Sequence, residues 1–303
     1  MPGSRYLIGG ITWYAALIVF GILTAIGLAM LEEKRKQLPG DTILDLALRV
    51  LPAGILGARL YYVAFNWSSF SRNPIAILYV WQGGLAIYGG LLGGGLAAWL
   101  FCRRKKLSLL RVADAVCPGI LLAQAIGRWG NFFNMEAYGN PVTASAWQFF
   151  PFAVLIPEGS GFVWRQATFF YESAWNLAAF LLIWTNRKKL RQDGRVTAWC
   201  ILLYAAGRQW IEGLRADSLM LGPVRVSQLL AVLLMAAAFL WLFGSRKNQR
   251  LSVIPAGGIW LLLLVGLFAP EVSVLWRLAG GVVFLLVSGL CEARRDAGCR
   301  ERL

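Results

Sequence analysis

The chain of 303 residues contains no histidine. A histidine-based zinc protease and a Ser-His-Asp hydrolase are therefore excluded, and any proton transfer must use another group. The sequence also lacks G-x-S-x-G and a P-loop. Its cysteines have neither metal-ligand nor paired redox spacing, so we expect them to be inert and predict no metal and no cofactor. These cysteines are Cys102, Cys117, Cys200, Cys291 and Cys299.

Charge is scarce as well, since only 15% of the residues are charged whereas 58% are hydrophobic, and the mean hydropathy is +0.60. One soluble core cannot hide that much apolar surface, so the composition indicates a polytopic membrane protein. Nine apolar runs are long enough to span a bilayer. They occupy residues 9–31, 43–66, 75–101, 109–130, 167–186, 196–213, 226–244, 252–269 and 273–291.

These runs predict an all-α, polytopic transmembrane helical bundle. We expect a core of seven helices over residues 1–245, followed by a C-terminal extension over 246–303 with two helices and a basic cytoplasmic tail. The first run has its positive cluster after the helix, and no small-residue cleavage site follows it. It is therefore interpreted as a retained helix and not as a signal peptide.

The net charge of +15 lies mainly in alternate connections between the apolar runs. The basic clusters occupy residues 34–36, 103–111, 187–195, 246–250 and 294–302. By the positive-inside rule these connections face the cytoplasm, and the N-terminus lies outside. We interpret the excess charge as a topology signal and a contact for membrane lipid headgroups, and we expect no nucleic acid as a partner.

A polar block, QAIGRWGNFFNMEAYGNP, continues from the fourth apolar run. Five of its residues would lie beside or within lipid: Arg128, Asn131, Asn134, Glu136 and Tyr138. Each charge near the bilayer centre costs about 2.5 to 3.5 kcal/mol. Such groups either brace neighbouring helices or form a site, and the variety of polar types favours a site. The stretch that follows, 131–166, is predicted to be an outer lid or half-embedded arm.

Other charged residues also lie in or near apolar runs. Arg208, Glu212 and Arg215 have the i, i+4, i+7 spacing of one helix face, where they form either a salt-bridge network or an anion clamp. Arg59, in GILGARLYYVAF, needs an anionic partner. Glu172 needs a cation, and an arginine from another helix is the candidate.

Two of the tyrosines have two interpretations each. Tyr14 is either an interfacial aromatic or a site residue. Tyr88 lies among seven glycines, which let helices pack closely and also leave room for a ligand beside its hydroxyl. Tyr171 precedes Glu172 at the same depth. The whole set favours a site that binds an anionic lipid and lets a second substrate supply the nucleophile.

Six separated motifs resemble those of bacterial prolipoprotein diacylglyceryl transferases. The block GRWGNFFNMEAYG, from Gly127 to Gly139, matches the family pattern G-R-x-G-N-F-x-N-x-E-x-x-G. The other motifs are TWYAALIVFG, GARLYYVAF, WQGGLAIYGGLLGG, TFFYES and GRQWIEGLRADS. The resemblance covers roughly residues 10–245 in the expected order.

The resemblance implies transfer of a diacylglyceryl group from phosphatidylglycerol to the thiol of the lipobox cysteine in a prolipoprotein signal peptide, with release of glycerol phosphate. This reaction belongs to the bacterial plasma (inner) membrane, and the charge pattern directs the site to the outer leaflet. Because the thiol belongs to the substrate, the site needs no nucleophile of its own.

The residues and the resemblance together give two groups of site candidates. The catalytic candidates are Arg128, Asn131, Glu136, Arg208, Tyr88 and Tyr14. The substrate-binding candidates are Arg59, Gly139, Tyr171, Glu172, Glu212 and Arg215. We expect Arg128 and Arg208 to hold the lipid phosphate as charge grows on it. Cations near the attacking thiol would lower its pKa from about 8.5.

The sequence departs from the family where histidines are expected. Many members carry a histidine at the position of Tyr88, and a His-Pro-Ser/Thr-Gln-Leu-Tyr-Glu motif where this chain has QATFFYE. The proton acceptor is then Tyr88, Glu136 or the leaving phosphate. The alternatives are a catalytically degenerate paralogue that binds lipid or lipoprotein precursors, and a membrane transporter of a small anionic solute or lipid.

Overall fold

The computed structural model of the protein describes residues 5–216, 220–221 and 224–243. The two helices predicted at 252–269 and 273–291, and the basic tail, lie outside the described residues. Contacts divide the chain into two compact units. Residues 25–119 form one, which we call the inserted unit, and residues 5–24 together with the described residues from 120 onwards form the other, which we call the two-part unit.

Helices make up most of the described chain. In chain order they are α1 (Trp13–Arg35), α2 (Thr42–Phe65), the single turn α3 (Trp67–Phe70), α4 (Ile87–Lys105), α5 (Leu109–Asn134), α6 (Thr168–Asn186), α7 (Arg195–Ile211) and α8 (Val226–Phe243). Apart from α3, each corresponds to one of the seven predicted core segments. Within the described residues, α1 and α5 are long and apolar enough to cross a membrane, and Val226–Leu242 is a shorter apolar helix.

Three antiparallel hairpins correct the all-α prediction. They pair β1 (Tyr6–Ile8) with β2 (Ile11–Thr12), β3 (Ala153–Glu158) with β4 (Gly161–Gln166), and β5 (Met220–Leu221) with β6 (Val224–Arg225). The β3–β4 hairpin falls in the stretch predicted as an outer arm. Its strands are rich in β-branched and aromatic residues, and Gly159 supplies the positive φ of +60° at the turn.

The third apolar run becomes helical much later than predicted. We expected a helix from residue 75, but α4 begins at Ile87. Residues 74–78 and 80–82 form two short 3₁₀ turns, and Gly83 and Gly84 then adopt φ of +89° and +67°. Positive φ at two successive glycines breaks a right-handed helix, which hydropathy alone does not register.

Close packing explains the glycines of α2 and α4 in the inserted unit. A Cβ added at Gly57 would lie 2.4 Å from the carbonyl oxygen of Gly89, and one at Gly93 would lie 2.5 Å from that of Ala53. Only glycine allows the two backbones to come this near. The predicted packing role of the glycines is therefore confirmed at these positions.

Candidate active site

The end of α5 carries the polar block, and its aromatic residues fix how the helix lies. Trp129 packs edge-on against Phe132, Phe169 and Phe170, with ring centroids 5.8 to 6.4 Å apart. Residues three apart share one side of a helix. Trp129 and Phe132 are therefore packed on one side, and Arg128 and Asn131 lie on another. The helix continues to Asn134, four residues past the predicted end.

Glu172 of α6 is the centre of an ion-pair cluster, which we call the arginine cluster: Arg128, Glu172, Arg208, Glu212 and Arg215. One carboxylate oxygen of Glu172 lies 2.5 Å from Arg128 Nη2, and the other lies 2.8 Å from Arg208 Nη1 and 3.5 Å from Arg215 Nη1. The Glu172 side chain is only 6% exposed. The prediction that Glu172 meets an arginine from another helix is confirmed, with three arginines instead of one.

The geometry of Arg208, Glu212 and Arg215 differs from the predicted single helix face. Helix α7 ends at Ile211, Glu212 begins a 3₁₀ turn, and Arg215 is extended. Tightening of the last turn breaks the i, i+7 relation, a common event at helix ends. Arg208 Nη2 still lies 2.6 Å from Glu212, but the carboxylate that both arginines contact is Glu172.

Among the described residues, the arginine cluster contains three guanidinium groups and two carboxylates, those of Glu172 and Glu212. Its arginine side chains are between 13% and 22% exposed, with Arg128 the most exposed. Among the described residues, Arg128 contacts a single carboxylate, so most of its N–H donors are free for a ligand. The cluster is therefore suited to bind an additional anion.

A second polar group lies just beyond α5. The side-chain amides of Asn131 and Asn134 both donate to Glu136 Oε1, at 2.9 and 3.2 Å. Met135 and Ala137, on either side of Glu136, have φ of +54° and +59°, which is uncommon for residues with a side chain. The backbone thus presents an exposed carboxylate, and its Oε2 has no hydrogen-bond partner among the described residues.

Gly139 lies where three segments meet. Its N–H donates to the carbonyl of Gln166 at 3.0 Å, and it bridges to Arg215 on the other side. A Cβ at this position would lie 2.8 Å from both the Gln166 side chain and the carbonyl oxygen of Leu214. Backbone packing accounts for this glycine, so the structure supplies no reason for the predicted substrate contact.

Tyr138 is buried beside Gly139. Its hydroxyl has no hydrogen-bond partner among the described residues. Burial first, and the nearby Glu136 carboxylate second, raise the pKa of Tyr138 well above its ordinary value. The phenol therefore stays neutral near pH 7.

The structure separates the predicted tyrosines. Tyr14 of α1 packs on Gly130 of α5, within electrostatic range of both Arg128 and Glu136. Tyr171 instead donates to the carbonyl of Phe152 at 2.5 Å and lines a cavity of about 490 Å³ under the arm. Tyr14 is therefore placed with the polar groups of the block, and Tyr171 with the arm.

Two candidates belong to the inserted unit. Tyr88 is half-buried in the first turn of α4. Arg59 is buried, and the prediction that it has an anionic partner is wrong. Its guanidinium donates to five main-chain carbonyls, those of Ala76, Ile77, Tyr79, Gly83 and Gly84. A charge in an apolar helix predicts an anionic partner. Here the carbonyls of the irregular loop before α4 accept the hydrogen bonds of the guanidinium instead.

Asn134 was noted in the polar block but not selected as a site residue. Its amide bridges two groups, donating to Glu136 and accepting from Arg5 Nε at 3.2 Å. Its i, i+3 spacing from Asn131 was visible in the sequence and was the signal that could have identified it.

Comparisons with known proteins identify one family. Residues 6–243 match the family described as "Prolipoprotein diacylglyceryl transferase". Three relatives carry the name "Phosphatidylglycerol--prolipoprotein diacylglyceryl transferase". The protein of Streptococcus equi subsp. zooepidemicus (strain MGCS10565) is 43% identical over 245 residues, which cover 79% of this chain and 93% of that protein. The protein of Gloeobacter violaceus (strain ATCC 29082 / PCC 7421) is 43% identical over 258 residues, covering 82% and 96%. The protein of Enterococcus faecalis (strain ATCC 700802 / V583) is 44% identical over 245 residues, covering 79% and 88%.

The family match covers well over half of the chain, and it contains both the arginine cluster and the carboxylate held by two asparagines. The three relatives are 43% to 44% identical over 79% to 82% of this chain. The chain belongs to the prolipoprotein diacylglyceryl transferase family.

Proposed function

We propose that the protein transfers the diacylglyceryl group of phosphatidylglycerol to the lipobox cysteine of prolipoproteins. The substrate sulfur attacks the glyceryl carbon that carries the phosphate, a C–S thioether bond forms, and the C–O bond to the phosphate breaks. The electron pair of that bond leaves on glycerol phosphate, and the thiol proton passes to a base.

The observation that carries this proposal is the open side of Arg128, whose guanidinium contacts one carboxylate in the described part of the chain and keeps most of its donors for a ligand. The phosphodiester of the lipid has one negative charge, and the departing phosphomonoester acquires a second. Guanidinium groups fixed in advance stabilise charge that grows during bond breaking, and one such donor typically contributes about 10²- to 10³-fold in rate. Arg128 and Arg208 are assigned this role.

Glu136 is assigned as the proton acceptor. Its carboxylate is exposed, is held through one oxygen by two asparagine amides, and has its second oxygen available. Tyr138 and Tyr14 are less suited because a neutral phenol must ionise before it can accept a proton. The leaving phosphate and Tyr88 are the competing acceptors, although Tyr88, as a phenol, would also have to ionise first. A pH–rate profile of substituted proteins separates the three.

The protein is placed in the bacterial plasma membrane as a multi-pass enzyme, with its N-terminus outside and its site towards the outer leaflet. The alternation of basic clusters supports this orientation. Two helices that are apolar and long enough to span, among the described residues, support membrane insertion.

The test is incubation of the detergent-purified protein with phosphatidylglycerol and a lipobox peptide, followed by mass spectrometry. We expect the peptide to gain the mass of a diacylglyceryl group. A peptide with serine in place of the lipobox cysteine, and phosphatidylcholine in place of phosphatidylglycerol, serve as controls. No mass gain, where a control transferase works, would contradict the proposal and favour a degenerate lipid-binding paralogue.

A further inference from the structure

A second group of basic side chains surrounds a cavity in the inserted unit. The cavity has a volume of about 370 Å³ and lies between α2 and α4. It is lined by Arg49, Ala97, Leu100, Phe101, Arg104 and Lys105. Three cationic side chains therefore share a cavity with three apolar ones.

Local contacts hold two of these cations in place. Asp45, one turn before Arg49, lies 3.4 Å from its Nη1 and 3.2 Å from Lys105 Nζ. The Arg49 guanidinium also stands over the ring of Phe101, 5.2 Å from its centroid. In the described part of the chain, Arg104 has no carboxylate partner. Three cations against one carboxylate leave two positive charges in excess at the cavity.

The mixed lining selects among possible ligands. A free phosphate would meet the cations but leave the exposed apolar side chain of Leu100 uncovered. An uncharged lipid chain would cover the wall but leave the cations unmatched. A molecule with an anionic head and an acyl chain satisfies both parts, and basic pockets between membrane helices are known to hold such headgroups.

We propose that this cavity binds an anionic phospholipid, with its phosphate beside Arg49, Arg104 and Lys105 and an acyl chain along Leu100. The bound lipid joins Arg49 of α2 to the basic last turn of α4 and stabilises that pair of helices by mass action.

This site is distinct from the proposed substrate site. None of its lining residues belongs to the arginine cluster. On α4 itself, Arg104 is about 24 Å from Tyr88 along the helix axis, at 1.5 Å per residue. The proposal rests on membrane insertion but not on the transfer reaction, so a loss of transferase activity would leave it standing.

The experiment measures lipid binding to the full chain in detergent by native mass spectrometry. Phosphatidylserine is the probe, because phosphatidylglycerol also occupies the proposed substrate site. We expect Arg104→Gln to weaken phosphatidylserine binding about 5-fold, the effect of one cation at a membrane surface. Inorganic phosphate should not compete, and phosphatidylcholine should bind more weakly.

Arg103→Gln is the matched control, because it removes the same charge one residue away. Arg103 is outside the cavity lining, and its guanidinium stands over the ring of Trp99. Its binding of phosphatidylserine should equal that of the wild-type protein. Equal weakening by Arg103→Gln and Arg104→Gln would overturn the proposal and leave only a diffuse charge effect.

A second pair of variants tests the apolar wall without changing charge, and it decides the matter if Arg104→Gln folds poorly. Leu100→Trp fills the cavity and should weaken phosphatidylserine binding, whereas Leu91→Trp, at an exposed position of α4 outside the lining, should not. Equal binding by both tryptophan variants would overturn the proposal. Effective competition by inorganic phosphate, or equal affinity for phosphatidylcholine, would also overturn it.

Discussion

Arg59 and Arg128 are both arginines inside apolar helices, but they differ in how many of their N–H donors the protein itself uses. Arg59 is 6% exposed and directs its guanidinium at five main-chain carbonyls of the irregular loop before α4. Arg128 has a 22% exposed side chain and contacts one carboxylate among the described residues. Every N–H donor of Arg59 bonds to a carbonyl of its own chain, whereas Arg128 keeps N–H donors that a ligand can use.

The difference shows which property of a polar group in a membrane protein points to function. The cost of placing a charge among apolar residues is the same for both arginines. What separates them is whether the chain itself uses every donor. We interpret saturated groups such as Arg59 as structural, and open groups such as Arg128 and the Oε2 of Glu136 as the ones available to a substrate.

Glu136→Gln tests an open group. Glutamine keeps the two hydrogen bonds from Asn131 and Asn134 but cannot accept the thiol proton. We expect transferase turnover near pH 7 to fall about 10²- to 10⁴-fold, the usual contribution of a general base. The deficit should shrink as the pH approaches the thiol pKa of about 8.5, because the thiolate then forms without help.

The measurement is a pH–rate profile of Glu136→Gln beside the wild-type protein and Tyr88→Phe. A deficit of the same size at every pH would contradict the assignment of Glu136. If Tyr88→Phe shows the pH-dependent deficit instead, the proton acceptor is Tyr88. If neither variant does, the leaving phosphate takes that role.

Glu172→Gln tests the carboxylate that three arginines share. Removing one partner of a buried ion pair leaves the others uncompensated, at about 3 to 5 kcal/mol. We expect a corresponding loss in the free energy of unfolding, measured by denaturant titration in detergent. Glu158→Gln is the control, since Glu158 is exposed and pairs with Arg165 in the hairpin. Equal stability of the two variants would show that the cluster is not held by Glu172.

Gly139→Ala tests a residue of the family signature to which we assign a structural role. The new methyl group would lie 2.8 Å from the Gln166 side chain and from the Leu214 carbonyl. Overpacking of this kind costs about 1 to 3 kcal/mol, and thermal unfolding should show the loss. Gly95→Ala is the matched control because its Cβ meets nothing within 4 Å. If Gly139→Ala folds stably but no longer binds phosphatidylglycerol, Gly139 contacts the substrate as the sequence predicted.

Tyr171→Phe is expected to have the smallest effect. Its hydroxyl is saturated by the carbonyl of Phe152, and losing one such bond costs about 0.5 to 1.5 kcal/mol. Thermal unfolding should register this, and turnover should follow the folded fraction alone. If turnover falls more than the amount of folded protein does, Tyr171 has a role in the reaction beyond stability.

The sequence predicted much of the fold because hydropathy follows helices closely. Six of the seven described core segments were predicted within four residues at each end, and α4 failed because two glycines with positive φ delay its start. The β3–β4 hairpin was not predicted. The apolar runs were identified by their length and hydropathy, which do not register two short strands in an aromatic arm. Candidate residues of the site were identified by chemistry and resemblance, but of their pairing only the contact of Glu172 with an arginine from another helix was predicted.

The pairing depends on contacts between segments far apart in the chain, which spacing cannot supply. Glu172 and Arg208 are separated by 36 residues, and helix periodicity relates only neighbours on one helix. The same limit explains the error at Arg59, whose carbonyl partners exist only because the following loop is irregular. A sequence shows that a buried charge needs a partner, and the fold decides which one.

The most direct test of the difference between saturated and open groups is the same substitution at both arginines, Arg128→Lys and Arg59→Lys, with turnover and melting temperature measured on each purified protein. Lysine keeps the charge but loses the planar fork of donors. We predict that Arg128→Lys lowers turnover about 10-fold or more with little change in melting temperature. Arg59→Lys should lower the melting temperature by several degrees while the folded protein keeps its turnover. A melting temperature that falls in Arg128→Lys while turnover per folded molecule holds would contradict the account.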